Sequence, residues 1–412
     1  MSAVGGSQPV RSHHPDYGIA LIVTILLAIG LVIMYSISPI LSYKVSPTTP
    51  GDYYFMNQLR YVGLGVIVWI IATAIPYGSW RKWSPWLLLG ATVGLFALMV
   101  PHLSTSENGA TRWLALGPLS VQPAEILKIA LLLYLAAWFE RRVTELKSFW
   151  DGVIPFTIMV GAAAFVIVVL QKDMGTMMVL ALAAIAMYFA AGLKWSHLAG
   201  IVGVAVVGAL AAIAAFPHRV QRITTFLHLA CGNLVALATS PDYHSCQALI
   251  AAGSGGLFGL GLGHSIQVYG YLPEAANDSI FAIISEEFGL LGSLAITGMF
   301  GLLVWRGLQV AKTAPDMFSR LVAVGISMWM LFQALINIGA MLALIPLTGI
   351  PLPFISYGGT SLVISLFGMG ILLNISKYTV REAHDANSRQ RRGDSRSYIA
   401  DPGNMRRVKV AR

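Results

Sequence analysis

Long apolar stretches, interrupted by short polar connections, set the pattern of this chain. A helix needs about 17 to 25 apolar residues to cross the hydrocarbon core of a bilayer. About ten stretches meet or approach that length: 18–37, 62–76, 85–100, 124–139, 153–170, 175–191, 196–216, 280–305, 321–345 and 354–375. The pattern predicts an all-α polytopic membrane domain over 18–376, between tails at 1–17 and 377–412. The first stretch follows a tail with a single Arg and lacks an Ala-x-Ala cleavage pattern, so it reads as an uncleaved anchor.

Charge fixes the orientation. With the N-terminus inside, the inner loops hold Arg81, Lys82, Arg141, Arg142, Lys147, Lys194, Arg306, Lys312 and Arg320, and the C-terminal tail adds about ten more basic residues. The outer side holds Lys44, Arg60, Arg112, Lys128, Lys172, Arg219 and Arg222. This excess of inner Lys and Arg places both termini in the cytoplasm. Composition agrees: 56% of the 412 residues are hydrophobic and 11% charged, against about 25% charged in soluble domains. The net charge of +9 is accounted for by membrane topology and by a basic tail, expected to lie disordered against anionic membrane lipids. Neither a nucleic-acid reading module nor a basic surface interleaved with aromatics is present, so no nucleic-acid partner is expected.

One outer connection, 217–279 between the seventh and eighth stretches, is far longer than the rest, and loops of that size usually carry function or fold themselves. It holds both cysteines, Cys231 and Cys246, which on an oxidising side could pair or stay free. His218, His228 and His244 match no zinc spacing. The glycine-rich run from Gly253 to Gly263 lacks the Lys-Ser/Thr ending of a phosphate loop and reads as close backbone packing or a re-entrant loop.

Four charged side chains fall inside the stretches: Glu125 and Lys128, three apart on one helix face, and Glu286 and Glu287. Each costs at least about 2.5 kcal/mol at the bilayer centre and needs a partner or water. Asp278 stands at the outer start of the eighth stretch, with Glu286 about 12 Å deeper. Lys172 and Asp173 occupy an outer turn, and Arg112 an outer loop. Charges confined to the outer half predict a polar cavity open outward, whereas an ion pathway would run through both halves. Pro346, Pro351 and Pro353 interrupt the approach to Phe354-Ile355-Ser356-Tyr357-Gly358-Gly359, and broken backbone at that depth is expected to line the cavity. The plainer alternatives are a local Glu125–Lys128 pair, Asp278 as a helix cap, the two glutamates as helix anchors, and a simple turn.

These residues carry a resemblance. Asn108-Gly109-Ala110-Thr111-Arg112-Trp113, Leu116-Gly117, Gln122-Pro123-Ala124-Glu125 with Lys128, Asp173-Met174-Gly175-Thr176, Gly253-Ser254-Gly255-Gly256-Leu257, Tyr271-Leu272-Pro273-Glu274 with Asp278, Glu286-Glu287 and Pro353 to Gly359 resemble the SEDS family of peptidoglycan glycosyltransferases over nearly the whole chain. Ile75-Pro76-Tyr77 followed by Trp80-Arg81-Lys82 is more similar to the division-type branch than to the elongation type. The chain departs from the family pattern at Val268, where Lys is common nearby, at Ala276 and Ser279 beside the acidic residue, and at Lys172, where Pro is usual.

The resemblance implies polymerisation of lipid II at the outer face of a bacterial cytoplasmic membrane, at the division septum for the division-type branch. The family's essential acidic residue maps to Asp278, as general base. Arg112, Lys128 and Lys172 are candidates for the departing diphosphate, with Glu125, Asp173, Glu274, Glu286 and Ser356 in support. No cofactor is required, though a divalent cation, Mg²⁺ or Mn²⁺, could share the diphosphate. Implied partners are a class B penicillin-binding transpeptidase, other divisome proteins and membrane lipids. The competing functions are a lipid II flippase, an elongation-type polymerase and a noncatalytic division scaffold.

Overall fold

The structure, a computed structural model, describes residues 14–378 except 101–103, 108–109, 117–118, 144–147, 193–194, 215–216, 230 and 232–241. Both tails beyond those limits, Asn108, Gly109, Gly117, Lys147, Lys194 and the side chains of His218 and Arg219 lie outside the described residues.

The chain is almost wholly helical: α1 Tyr17–Val45, α2 Tyr53–Ala74, α3 Tyr77–Ala97, α4 Pro123–Arg141, α5 Ile154–Val166, α6 Met174–Ala190, α7 Trp195–Ala214, α8 Pro217–Leu227, α9 Tyr243–Ser254, α10 Ile280–Lys312, α11 Met317–Met341 and α12 Gly359–Ser376. Each predicted apolar stretch overlaps a helix, but 342–345 at the end of the ninth and 354–358 at the start of the tenth are non-helical, the last helix starts only at Gly359, and 215–216 of the seventh lie outside the described residues. Six helical segments are individually long and apolar enough to cross a membrane: α1, α2, Phe149–Gln171 around α5, α10, α11 and α12. With the shorter apolar helices α6 and His197–Gly208 within α7, they make a polytopic membrane protein.

Local sequence sets the helix starts. Pro123 opens α4, where its missing N–H costs nothing. Asp16 and Asp173 accept backbone N–H groups at the starts of α1 and α6, and Asp316 with Ser319 forms a reciprocal capping box on α11. The hub is α11 with α12, whose apolar windows are 78% and 83% buried, against 17% for α2. The lipid-facing helices therefore wrap a polar-containing centre, and α4 threads beside α11 with Glu125 and Lys128 buried.

At the inner end, Arg81 donates to both carboxylate oxygens of Glu140, Asn374 accepts from Tyr77 N and donates to Thr73 O, and Arg306 pairs with Asp16 at 3.6 Å. The outer end contains an element the apolar pattern did not reveal, a three-stranded antiparallel sheet of β1 Ser104–Glu107, β2 Ala110–Leu116 and β3 Leu119–Val121 in that order. Strands of three to seven residues are too short to show a clear alternation.

The long connection is substantially folded. Cys231 and Cys246 form a disulfide, tying α9 to the end of the α8 region. From there α9 runs back alongside α10, and the glycine-rich segment after it pairs with a break in α10. Leu260 N donates to Glu286 O and Gly261 N to Glu287 O, each at 2.9 Å, while Leu290 N donates to Gly256 O. Gly289 adopts φ +66 at that break, and Gly259 at φ +84 lies where any Cβ would overlap the Glu287 carbonyl. The run thus forms a re-entrant hairpin whose backbone groups are satisfied by the interrupted helix. Gly259→Ala is expected to lower the thermal unfolding temperature in detergent by several degrees, through a forced backbone shift worth about 1–3 kcal/mol. Gly298→Ala, at an α10 position with open space around it, leaves it unchanged.

Candidate active site

The outer-end residues are drawn together by a chain of buried hydrogen bonds centred on α11. Trp329, Gln333 and Asn337 recur every four residues and form one stripe along that helix. Gln333 Oε1 accepts from Trp329 Nε1 at 2.7 Å and from Lys128 Nζ at 3.1 Å, while Gln333 Nε2 donates to Pro351 O at 3.0 Å. One turn on, Asn337 Nδ2 donates to the backbone oxygens of Asp278 and Ile350, both at 2.7 Å. The stripe therefore ties α4, the start of α10 and the irregular 346–358 segment to one helix.

Lys128 is 1% exposed. Its ammonium pairs with Glu125 at 2.9 Å, meets Gln333 and lies 5.0 Å from the centroid of the Trp329 ring. The pair is local, as its spacing suggested, but it also reaches the 346–358 segment through Gln333. Removing one partner of a buried pair strands the other charge.

Asp278 precedes Ser279, which occupies the cap position of α10 without a side-chain capping bond, so Asp278 is not the helix cap. Asp278 is 8% exposed, and its Oδ1 is buried without a hydrogen-bond partner. Burial first, then the neighbouring Glu274 carboxylate, pushes its pKa up to about 7, with Arg222 among the groups that pull it back. Arg222, on α8, donates to Leu347 O at 3.3 Å. His244 Nε2 lies 2.7 Å from Ser279 Oγ, and burial followed by the Arg222 charge lowers the imidazole pKa to about 4.

The cationic loop residues lie on the same side. Arg112 Nε donates to Gln171 O at 3.1 Å, next to Lys172, which is exposed in a left-handed conformation with φ 54. Asp173 accepts from Thr176 N and from Gln122 Nε2, linking this turn to the start of α4. Gln122 N donates to Thr360 Oγ1, which donates to Ser120 O, so β3 and α12 join the cluster. Between α5, α6 and α7, whose connection carries Lys172, lies an apolar cleft of about 290 Å³ lined by residues including Phe156, Val160, Phe165, Met177 and Ile201.

Two expected residues serve architecture. Glu286 accepts from Ser265 Oγ, Ile266 N and Gln267 N, holding the turn that follows the glycine run. Ser356 Oγ accepts from Leu352 N, and Ser356 O from Gln58 Nε2, so it braces the 346–358 segment. Glu274, at φ 49, accepts from Asn277 Nδ2 and sits close enough to raise the Asp278 pKa. Sequence reasoning missed Gln333, Asn337, Arg222 and His244. The available signal was the Trp329-Gln333-Asn337 stripe, polar residues at helical spacing within an apolar run. Lys128→Met is expected to destabilise the protein strongly by leaving Glu125 buried and unpaired, about 3–5 kcal/mol in the general case. Adding Glu125→Gln should recover part of that loss in detergent melts, and a double mutant no better than the single would refute the coupling.

Comparison with known proteins agrees with this architecture. A family profile described as cell cycle protein, covering FtsW, RodA and SpoVE, matches residues 17–381. Stage V sporulation protein E of Bacillus subtilis (strain 168) is 37% identical over 368 residues, 89% of this chain and 98% of that protein. A probable peptidoglycan glycosyltransferase FtsW of Geobacter sp. (strain M18) is 37% identical over 362 residues, 88% and 96% of the two chains. The crystal structure of the Thermus thermophilus rod shape determining protein RodA aligns with a TM-score of 0.64 at 26% identity, covering 89% of this chain and 98% of that one.

Proposed function

The chain belongs to the cell cycle protein family of FtsW, RodA and SpoVE, and from that membership we propose that it is a peptidoglycan glycosyltransferase that polymerises lipid II. The observation that carries the reading is Asp278, a buried carboxyl with one unpartnered oxygen, its backbone fixed by Asn337 to the irregular 346–358 segment.

In this reaction the 4-hydroxyl of an acceptor GlcNAc attacks C1 of the donor MurNAc with inversion. The new glycosidic bond forms as the bond to undecaprenyl diphosphate breaks, and the hydroxyl proton passes to Asp278. A base with a pKa near the working pH balances ionisation against basicity, and such catalysis contributes typically 10²–10⁴-fold. The leaving diphosphate gathers negative charge, which cations held away from bulk water stabilise strongly. Arg112 and Lys172 are the partly exposed and exposed cations at this end, and Arg222 joins them. Lys128, already engaged by Glu125, donates to Gln333, whose amide in turn holds the Pro351 carbonyl, and adds its field from behind.

A divalent cation, Mg²⁺ or Mn²⁺, would be held chiefly by the diphosphate, which suits a site with no cluster of three metal-ligating side chains among the described residues. The apolar cleft beside α5, α6 and α7 is a berth for the first isoprene units, with the rest of the tail in lipid. The chain's one Ser-x-x-Lys spacing, Ser79 to Lys82, opens α3 beside the Arg81–Glu140 pair at the opposite end. Crosslinking of the strands therefore falls to a class B penicillin-binding transpeptidase. The workplace is the septum with other divisome proteins, and the equal identity to a sporulation protein favours spore envelope synthesis as the second setting.

Purified wild type with its transpeptidase should build glycan strands from lipid II on a resolving gel, while Asp278→Asn inserts and folds but loses at least about 10²-fold of the rate. Near-normal polymer from Asp278→Asn would sink the assignment of the base. Because the base acts ionised and burial raises its pKa to about 7, the wild-type rate should climb as pH rises through about 7. A rate flat between pH values well below and well above that point would contradict a buried carboxylate base.

A further inference from the structure

Between Pro346 and Pro351 the connection from α11 to α12 runs Leu347-Thr348-Gly349-Ile350. Gly349 has φ +73, in the left-handed region that glycine enters freely. Conformation alone would account for a glycine here, but its surroundings add a second reason. Among the described residues, a Cβ at Gly349 would have a single atom within 4 Å, Asp278 Oδ2 at 3.7 Å. Gly349 is exposed, whereas Ile350 beside it is buried. The side chain that Gly349 lacks would therefore stand in open space, with one carboxyl oxygen on its wall.

Pinned backbone sets the width of that opening. Leu347 O accepts from Arg222 at 3.3 Å, and Ile350 O accepts from Asn337 Nδ2 at 2.7 Å. Thr348 O and the Ile350 side chain press against Gly175 at the start of α6, where a Cβ would overlap Ile350. On the other side, the same Asn337 nitrogen holds Asp278 O at 2.7 Å. Asp278 Oδ1 is buried without a hydrogen-bond partner, so a group entering over Gly349 meets Oδ2.

We propose that the space over Gly349 admits the acceptor's 4-hydroxyl, and that Gly349 belongs to the acceptor subsite because its missing side chain lets that hydroxyl reach Asp278 Oδ2. This rests on Asp278 acting as the base. A hydroxyl oxygen must come within about 2.6–3.2 Å of the group that takes its proton. A Cβ 3.7 Å from Oδ2 stands beside that position, and a longer side chain covers it. A secondary hydroxyl on a pyranose ring has no flexible stem, so ring carbons follow it in and need the same clearance. As the hydroxyl oxygen bonds to C1 of the donor, its proton passes to Oδ2 and the diphosphate departs.

Asn tolerates left-handed backbone better than most residues, and Ala tolerates it poorly. The two reasons for a glycine therefore rank two variants oppositely. If conformation alone matters, Gly349→Asn polymerises lipid II better than Gly349→Ala. If clearance matters, Gly349→Asn melts in detergent closer to wild type yet polymerises worse. With the transpeptidase present, its half-saturating lipid II concentration should rise about tenfold or more, and that of Gly349→Ala by less. Gly349→Asn outperforming Gly349→Ala, or a loss in maximal rate at unchanged half-saturation, would overturn the proposal.

A second measurement needs no folded variant. A water-soluble carbodiimide with an amine should tag Asp278 of the wild type through the same opening, and lipid II should protect it. Asp278 left untagged, as read by mass spectrometry, or tagged equally with lipid II bound, would overturn the opening. If Asp278→Asn stays active, or wild type makes no polymer, the base itself is wrong and the subsite falls with it. An inactive Asp278→Asn beside Gly349 variants of normal half-saturation defeats the clearance alone.

Discussion

Backbone that is neither helix nor strand is costly at membrane depth, because each unpaired N–H or C=O there loses water without gaining a partner. The segment between α11 and α12 is such backbone, and the polar end of the protein is organised around satisfying it. Gln333 and Asn337 bond the carbonyls of Pro351 and Ile350, Ser356 bonds Leu352 N, and Tyr357 N donates to Ala276 O. The side chains that meet this need are the ones that hold Lys128 and the backbone of Asp278. Structural satisfaction and the placing of Asp278 are thus one network, in which the proposed chemistry and the fold depend on the same two amides.

Much of this was legible in the residues. Apolar runs long enough to span lipid marked the helices, since length and composition alone decide that signal. The charged pair Glu125 and Lys128, the acidic residue Asp278 and the prolines at 346, 351 and 353 stood out because each is expensive where it sits. Gln333 and Asn337 did not, since an uncharged amide in an apolar run costs little enough to pass as filler until its partners are seen. The short strands around Arg112 were hidden for another reason: their partners lie close in sequence, and a few alternating residues look like any polar loop.

The direction of Glu286 was not legible either. A carboxyl in a span invites a role in the cavity, yet here three donors from the 265–267 turn consume it. Only the return of the chain after the glycine run, set by the Gly289 break, brings those donors within reach. Cys231 and Cys246 were the reverse case, open in the sequence and resolved once α9 was placed beside α10.

The re-entrant hairpin has a consequence for how the protein is made. The Gly256 carbonyl and the Leu260 and Gly261 N–H groups find their partners on residues 290, 286 and 287, which leave the ribosome later. A translocon that releases segments one by one into lipid would expose the hairpin unsatisfied, so it must wait outside the hydrocarbon until α10 has been laid down. Assembly of this half of the molecule therefore runs against the order of synthesis, and the earlier segment is seated by the later one.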